Sequence, residues 1–350
     1  MSMKILIVGP SWVGDMVMSQ TLYIELKKTH PNASIDVLAP AWCKPILERM
    51  PQIAKAIEMP LGHGDFAFFT RRNIGKSLLL ENYEHAFILT NSAKSALIPF
   101  FAKVKHRTGW KGEFRYGLIN DMRTNRKSFD LMIERYVALA YPKEKMTGSG
   151  CLANLPKPKL NIDRQKQLSA FEKFSLHSKR PVIGLCPGAE FGPAKRWPAE
   201  HFANITQTLI NNGYQIWLFG SAKDHEVTES IKESLPLELQ NNCHNLAGET
   251  SLIEAIDLMA ACNIVVSNDS GLMHIAAAVG CKVVALYGST SPGYTPPLSD
   301  TVEILHTDID CRPCFKRICP LEHLNCLKEL TPDMVVNAIN RLNQIKVIQC

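Results

Sequence analysis

The chain has 350 residues, long for one domain and ample for two, and 46% of them are hydrophobic, enough for two apolar cores. Charged residues at 21%, with Gly and Pro scattered, exclude intrinsic disorder. The net charge of +6 equals the excess carried by residues 61–130 alone, where twelve Lys or Arg face six Asp or Glu; a basic patch there would draw an anionic partner, although a solvated face is the commoner meaning of such an excess.

Aromatic residues are not interleaved with basic ones in the manner of a nucleic-acid module, so no nucleic-acid partner is expected. The first apolar run stops at Gly9-Pro10, which reads against a signal peptide. No apolar run approaches the ~20 residues of a membrane helix, so a cytoplasmic protein is expected, one still able to touch a membrane surface. Most of the eleven cysteines sit singly in apolar segments, as Cys186, Cys262 and Cys281 do, and read as reduced core thiols.

In chain order, KILIVGP is an apolar run of strand length closed by Gly9-Pro10, and residues 16–28 carry helical spacing. SIDVLAP predicts a strand, WCKPILERM a helix and AKAIEMP a third strand. Residues 66–81 read as helical, HAFILTN as a strand and KSALIPFFAK as a helix, and a helix over 130–141 closes this half. The Pro-, Gly- and Lys-rich residues 142–163 read as an interdomain linker, followed by a short helix over 164–176. PVIGLCPGA is a strand, and residues 199–212 form a helix that stops at Gly213. YQIWLFGS predicts a strand, 224–234 a helix, HNLAG a strand and SLIEAIDLMAAC a helix. NIVVSNDS then predicts a strand, GLMHIAAAVG a helix and KVVALYGS a strand. The tail over 332–345 is helical, with Thr331 as N-cap and Pro332 at its first position.

Short apolar strands alternating with amphipathic helices predict an α/β fold: two doubly wound domains with parallel sheets, facing each other across a cleft. The expected division is residues 1–160, residues 161–330 and a terminal helical segment, 331–350, that packs back on the first domain. Ligands of open α/β sheets bind outside the carboxyl ends of the strands, which here means the loops after Val8, Cys186, Phe219, Ser267 and Tyr287.

Four motifs carry chemistry. GPSWVGDM follows a strand and opens a helix, but its glycines lack the GxGxxG spacing and no Lys-Ser/Thr follows, so it is neither a dinucleotide fingerprint nor a P-loop. It places Gly14 and Asp15 at a helix start, and Asp15 reads either as a capping residue or as a general base. CPGAEFGPAKRWP is a glycine-rich loop with Gly188, Lys195 and Arg196, the free N–H groups and ammonium that a diphosphate needs, or else a plain basic loop. SNDSGLMHIAAA starts a helix at Ser270-Gly271, where an anion can approach closely. Asp269 there reads as a ligand to hydroxyls or a cap, and His274 one turn in as structural unless other evidence calls it. CRPCFKRICPLEHLNC brings Cys311, Cys314, Cys319 and Cys326 at spacings compatible with a structural zinc or with thiols packing an irregular loop; a catalytic metal is not expected.

PSWVGDMVMSQTLY, APAWCKPILERMP, HRTGWKGEFRYGLIND, CPGAEFGPAKRWP, LFGSAKDHE and NDSGLMHIAAA with VALYGSTSP together resemble the ADP-heptose:lipopolysaccharide heptosyltransferases of glycosyltransferase family 9. The resemblance runs over residues 3–297, with heptosyltransferase II as the nearest subgroup. It implies a GT-B fold with an acceptor-binding first domain and an ADP-sugar-binding second domain. It implies inverting, metal-free transfer of L-glycero-D-manno-heptose from ADP-heptose to the first heptose of the lipopolysaccharide inner core, heptosyl-Kdo2-lipid A. A monomer at the inner face of the inner membrane is expected. By motif the resemblance makes Asp15 the base and sets Lys195 at the donor phosphates. Asp269, Ser270, Gly271 and His274 fall at the donor turn, Ser270 standing where other members carry Thr. Gly14 and Gly188 join the substrate-binding set, and Arg107, Lys111, Arg115 and Arg123 are candidate acceptor contacts. The alternatives are a nucleotide-sugar epimerase on the same fold, a non-catalytic nucleotide or lipopolysaccharide binder, and a zinc-dependent nucleic-acid module.

Overall fold

The structure is a computed structural model that describes residues 3–62, 64–177 and 179–345. The chain divides into two compact units, Met1–Leu160 and Asn161–Cys350.

The first unit is a six-stranded parallel sheet: β1 (Lys4–Val8), β2 (Ser34–Ala39), β3 (Ile53–Glu58), β4 (His85–Ile88), β5 (His106–Trp110) and β6 (Asp121–Arg123). Their spatial order is β3-β2-β1-β4-β5-β6. Ile5 pairs with Ile35 on one side and His85 on the other. β1 reads KILIV, and its Ile5, Leu6, Ile7 and Val8 are all buried. A central parallel strand is covered on both faces, so a continuous apolar run suits it. The helix Val13–Thr29 follows directly and buries Met16, Val17, Leu22, Tyr23 and Leu26.

The second unit repeats the plan: β7 (Val182–Cys186), β8 (Gln215–Leu218), β9 (Cys243–Asn245), β10 (Ile264–Asn268), β11 (Lys282–Leu286) and β12 (Val302–Leu305). The order β12-β11-β10-β7-β8-β9 is the same as in the first unit, read from the other edge. In each sheet the strand order reverses beside the first strand, between β1 and β4 and between β7 and β10. At such a reversal neighbouring loops diverge and leave a crevice at the carboxyl edge. The loops carrying Asp15, Lys195 and Asp269 leave β1, β7 and β10, the strands that border these two points.

The sequence pattern predicts no strand at β5, β6 or β12. HRTGW and DMR lack an apolar run, and β12 lies at a sheet edge with only Leu305 buried. The terminal helix Pro332–Gln344, expected on the first domain, lies instead on the second unit. Its Val335, Ala338, Ile339 and Leu342 enter one core with Ile205, Leu209, Val284 and Leu305. Thr331 occupies the N-cap position, but its side chain makes no capping hydrogen bond.

Ile339 is fully buried there. Ile339→Ala should lower unfolding stability by about 2–5 kcal/mol in urea titrations, the cost of emptying a core site. A loss below 0.5 kcal/mol would show that the helix does not belong to this core.

Candidate active site

In the second unit, Lys195 ends a 3-10 turn, Pro193–Lys195, in the loop after β7, and Asp269 directly follows β10. The Lys195 ammonium donates to Asp269 Oδ2 at 2.6 Å, with side chains only 13% and 4% exposed. Thr290 Oγ1 donates to the same oxygen at 2.5 Å. An ammonium has three donors, so this pairing leaves two for a ligand. Lys195 Nζ also stands 4.9 Å from the centre of the Phe191 ring. Beside this pair the helix Gly271–Ala278 begins at Ser270 with no side-chain cap and no acid in its first turn. Its free N–H groups and dipole favour an anion.

Asp269 therefore serves Lys195 rather than capping the helix. His274 is 6% exposed. Burial lowers its pKa to about 4, with Asp269 opposing and Lys195 reinforcing the shift, so the ring is neutral at physiological pH. Gly188 lies against the Asp224 carboxyl group, and a Cβ there would come within 2.5 Å of it. Asp224 in turn accepts from Ser221 N and Oγ at 2.9 and 2.8 Å, so the glycine lets the loop after β8 close on the loop after β7.

A third segment braces the loops that carry Lys195 and Thr290. Arg312 donates to the carbonyls of Gly288, Thr290 and Thr307, each at 3.1 Å. Phe315 N donates to Ser289 O at 2.7 Å and Ala194 N to Arg317 O at 3.0 Å. The Arg317 guanidinium lies 5.3 Å from the centre of the Phe191 ring. Gly192 sits so close to this segment that a Cβ would meet Arg317 O at 2.5 Å. Phe191, Thr290, Arg312 and Arg317 all lie in motifs quoted from the sequence, but none of them is singled out there. The four cysteines belong to the same segment. The Cys326 thiol is pushed up by burial and then by Cys311, Cys319 and Cys314. Among the described residues no group of three or more His, Cys, Asp or Glu side chains is arranged to hold a metal ion.

In the first unit, Asp15 stands in the first turn of the helix Val13–Thr29, whose N-cap is Trp12, and Gly14 precedes it, partly exposed. The buried Tyr136, from the helix Met132–Val137, donates its hydroxyl to Asp15 Oδ1 at 3.2 Å. Tyr136 also escaped the sequence reading, because a lone Tyr in an amphipathic helix reads as core.

All three proposed acceptor arginines are committed elsewhere. Arg115 is fully buried and donates to Thr90 O, Asn91 Oδ1 and Trp110 O. Arg123 grips both Asp121 oxygens, at 3.0 and 2.8 Å, and Tyr141 O at 3.0 Å. Arg107 donates to Leu118 O and Val104 O, at 2.7 and 2.5 Å. Lys111 is exposed. A run of basic residues does not reveal which of them the fold consumes.

A family model for glycosyltransferase family 9 (heptosyltransferase) matches residues 71–325. The chain is 53% identical to lipooligosaccharide heptosyltransferase 2 of Haemophilus influenzae over 346 residues, 97% of this chain and 99% of that protein. It is 50% identical to lipopolysaccharide heptosyltransferase 2 of Escherichia coli over 342 residues, 97% of this chain and 98% of that one. Its fold is similar to the solved structure of E. coli ADP-heptose lipopolysaccharide heptosyltransferase II, with TM-score 0.87, 49% identity and coverage of 97% and 98%.

The buried neutral His274 makes a testable linkage. Between pH 6.5 and about 4 the unfolded chain binds this proton and the folded chain does not. Stability therefore falls as pH drops through that window, by up to about 1.4 kcal/mol per pH unit for one proton, and the slope from this group ends below the folded pKa. His274→Gln should flatten the pH dependence of urea unfolding in the window. Identical slopes for both proteins would refute the buried neutral ring.

Proposed function

The chain belongs to glycosyltransferase family 9, the heptosyltransferases, and from that premise we propose that its first unit supplies the base and its second unit the leaving-group site of heptosyl transfer. It is a glycosyltransferase with a GT-B fold that adds heptose to the lipopolysaccharide inner core from a nucleotide-heptose donor. That membership sets aside the epimerase and binding-protein readings. The donor proposed is ADP-L-glycero-D-manno-heptose, and the acceptor is heptosyl-Kdo2-lipid A.

Asp15 accepts the proton of an acceptor hydroxyl, and the freed oxygen attacks the anomeric carbon. The bond from that carbon to the diphosphate breaks on the opposite face, so the configuration inverts and ADP leaves with the electron pair. The Lys195 ammonium and the N–H groups at the start of the helix Gly271–Ala278 stabilise the charge that develops on ADP. The observation that carries this reading is Lys195, fixed by Asp269 beside an uncapped helix start. Tyr136 holds the Asp15 carboxylate, orienting its second oxygen for the proton. The acceptor is a lipid, and no helix among the described residues is long and apolar enough to cross a membrane. We expect a monomer whose basic first unit meets the membrane surface.

The test is incubation of the enzyme with ADP-heptose and an acceptor bearing one heptose, read by mass spectrometry. Wild type should add one heptose. Asp15→Asn should lose about 10²–10⁴ in kcat while ADP affinity is kept, the range of a lost general base. Tyr136→Phe should lose about 10-fold, the worth of one hydrogen bond to a charged group. No added heptose from folded wild type, or wild-type turnover by Asp15→Asn, would overturn the assignment.

A further inference from the structure

Residues 111–120 join β5 to β6 at the carboxyl edge of the first sheet, and the transfer chemistry leaves most of them without a task. The loop is fastened from inside. Arg115 is fully buried, its Nη1 donates to Thr90 O at 2.7 Å, and Nη2 reaches Asn91 Oδ1 and Trp110 O. Burial pulls this guanidinium down to about 10. Glu113 N donates to Asn91 O at 3.0 Å, and Ala93 N donates to Glu113 Oε2 at 2.8 Å. Gly112 lies so close that a Cβ would come within 2.2 Å of Asn91 O.

The residues between these anchors face outward. Phe114 is 82% exposed and Tyr116 57% exposed. Their rings meet edge to face, 5.3 Å between centres and 68° between planes. Lys111, also exposed, opens the loop. Burying a cation whose partners are carbonyls and an amide is costly, and holding two aromatic rings in water is unfavourable as well. A fold that does both is displaying the rings to a ligand. Their place indicates which ligand. Only β4 separates β5 from β1, so the loop leaves the sheet about two strand spacings, ~10 Å, from the loop that carries Asp15.

We propose that Phe114 and Tyr116, with Lys111, form an acceptor subsite that stacks on a sugar ring of an acidic glycan, set back from the attacked hydroxyl. Aromatic rings pack on the C–H-rich face of a sugar, and the ammonium meets a carboxylate or phosphate on it. The exposed Lys111 supplies the charge that complements such a glycan. The subsite rests on the reading that Asp15 marks the acceptor side.

The test uses full-length enzyme at saturating ADP-heptose, titrated with the intact lipid acceptor and with its deacylated, soluble glycan. Phe114→Ala with Tyr116→Ala should raise the acceptor KM by ~10-fold or more for both acceptors, since each lost aromatic contact is worth a few-fold. It should leave the donor KM and kcat within about two-fold, the range of a neutral surface change. Phe114→Tyr with Tyr116→Phe, which keeps both rings, should restore the acceptor KM. Lys111→Gln should raise it most at low salt. Unchanged acceptor KM would overturn the proposal. A rise confined to the lipid-bearing acceptor would also overturn it, because the rings would then meet a lipid surface. The Asp15 assignment is read in kcat and the subsite in KM, so the two can fail separately.

Discussion

Lys195 and Asp269 form an ion pair in a place where water barely reaches either partner. Such a pair gains little net stability, because desolvating both charges offsets most of their attraction. Its value here is position. Asp269 extends β10, Lys195 ends the loop after β7, and these strands are neighbours at the point where the sheet order reverses. The pair therefore pins an ammonium beside the free N–H groups of the helix Gly271–Ala278. A mobile lysine would have to be ordered by any anion it met, at an entropic cost, and this one is ordered beforehand. Thr290 helps because it supplies Asp269 with a second donor, so the carboxylate does not depend on Lys195 alone.

The two units use one backbone plan for opposite charges. Each has the same strand order, and each places a helix start without a side-chain cap after a strand at the reversal. In the first unit the opening turn carries Asp15, a carboxylate that the helix dipole favours and that can accept a proton. In the second unit the opening turn carries no acid, and the one acid before it is already held by Lys195 and Thr290. The site is thereby left open to an anion. A single residue class in the first turn, acidic or absent, decides whether the same geometry holds a carboxylate of its own or stays open to an anion.

Much of this was legible in the sequence because central parallel strands must be apolar throughout. KILIV, VIGLC and IVVSN are buried along almost their whole length, and each announces the functional loop that follows it. DMR lies at a sheet edge, and HRTGW, one strand in, buries Thr108, Gly109 and Trp110 rather than an aliphatic run, so neither announces a strand. Side-chain destiny was less legible still. Arg115 and Lys111 stand four residues apart in one basic stretch, yet one is fully buried and the other exposed. The difference lies in the carbonyls of Thr90 and Trp110, which a linear reading cannot bring together. Tyr136 reaches Asp15 from 121 positions away for the same reason.

The segment with four cysteines shows how conspicuous residues can distract from working ones. Its spacing draws attention to the thiols, but its hydrogen bonds run through Arg312, Phe315 and Arg317 to the loops that hold Thr290 and Lys195. Arg312 alone joins three backbone carbonyls, donating from Nε, Nη1 and Nη2, a spread that the single nitrogen of a lysine does not span. Phe191 completes the brace, since Lys195 and Arg317 both lie against its ring. The irregular path of this segment follows from what it clasps. A regular helix or strand would spend its backbone groups on itself, whereas an irregular chain keeps N–H and C=O groups available for neighbouring loops. The order of Lys195 thus depends on a segment remote from it in sequence, and on arginines more than on the cysteines beside them.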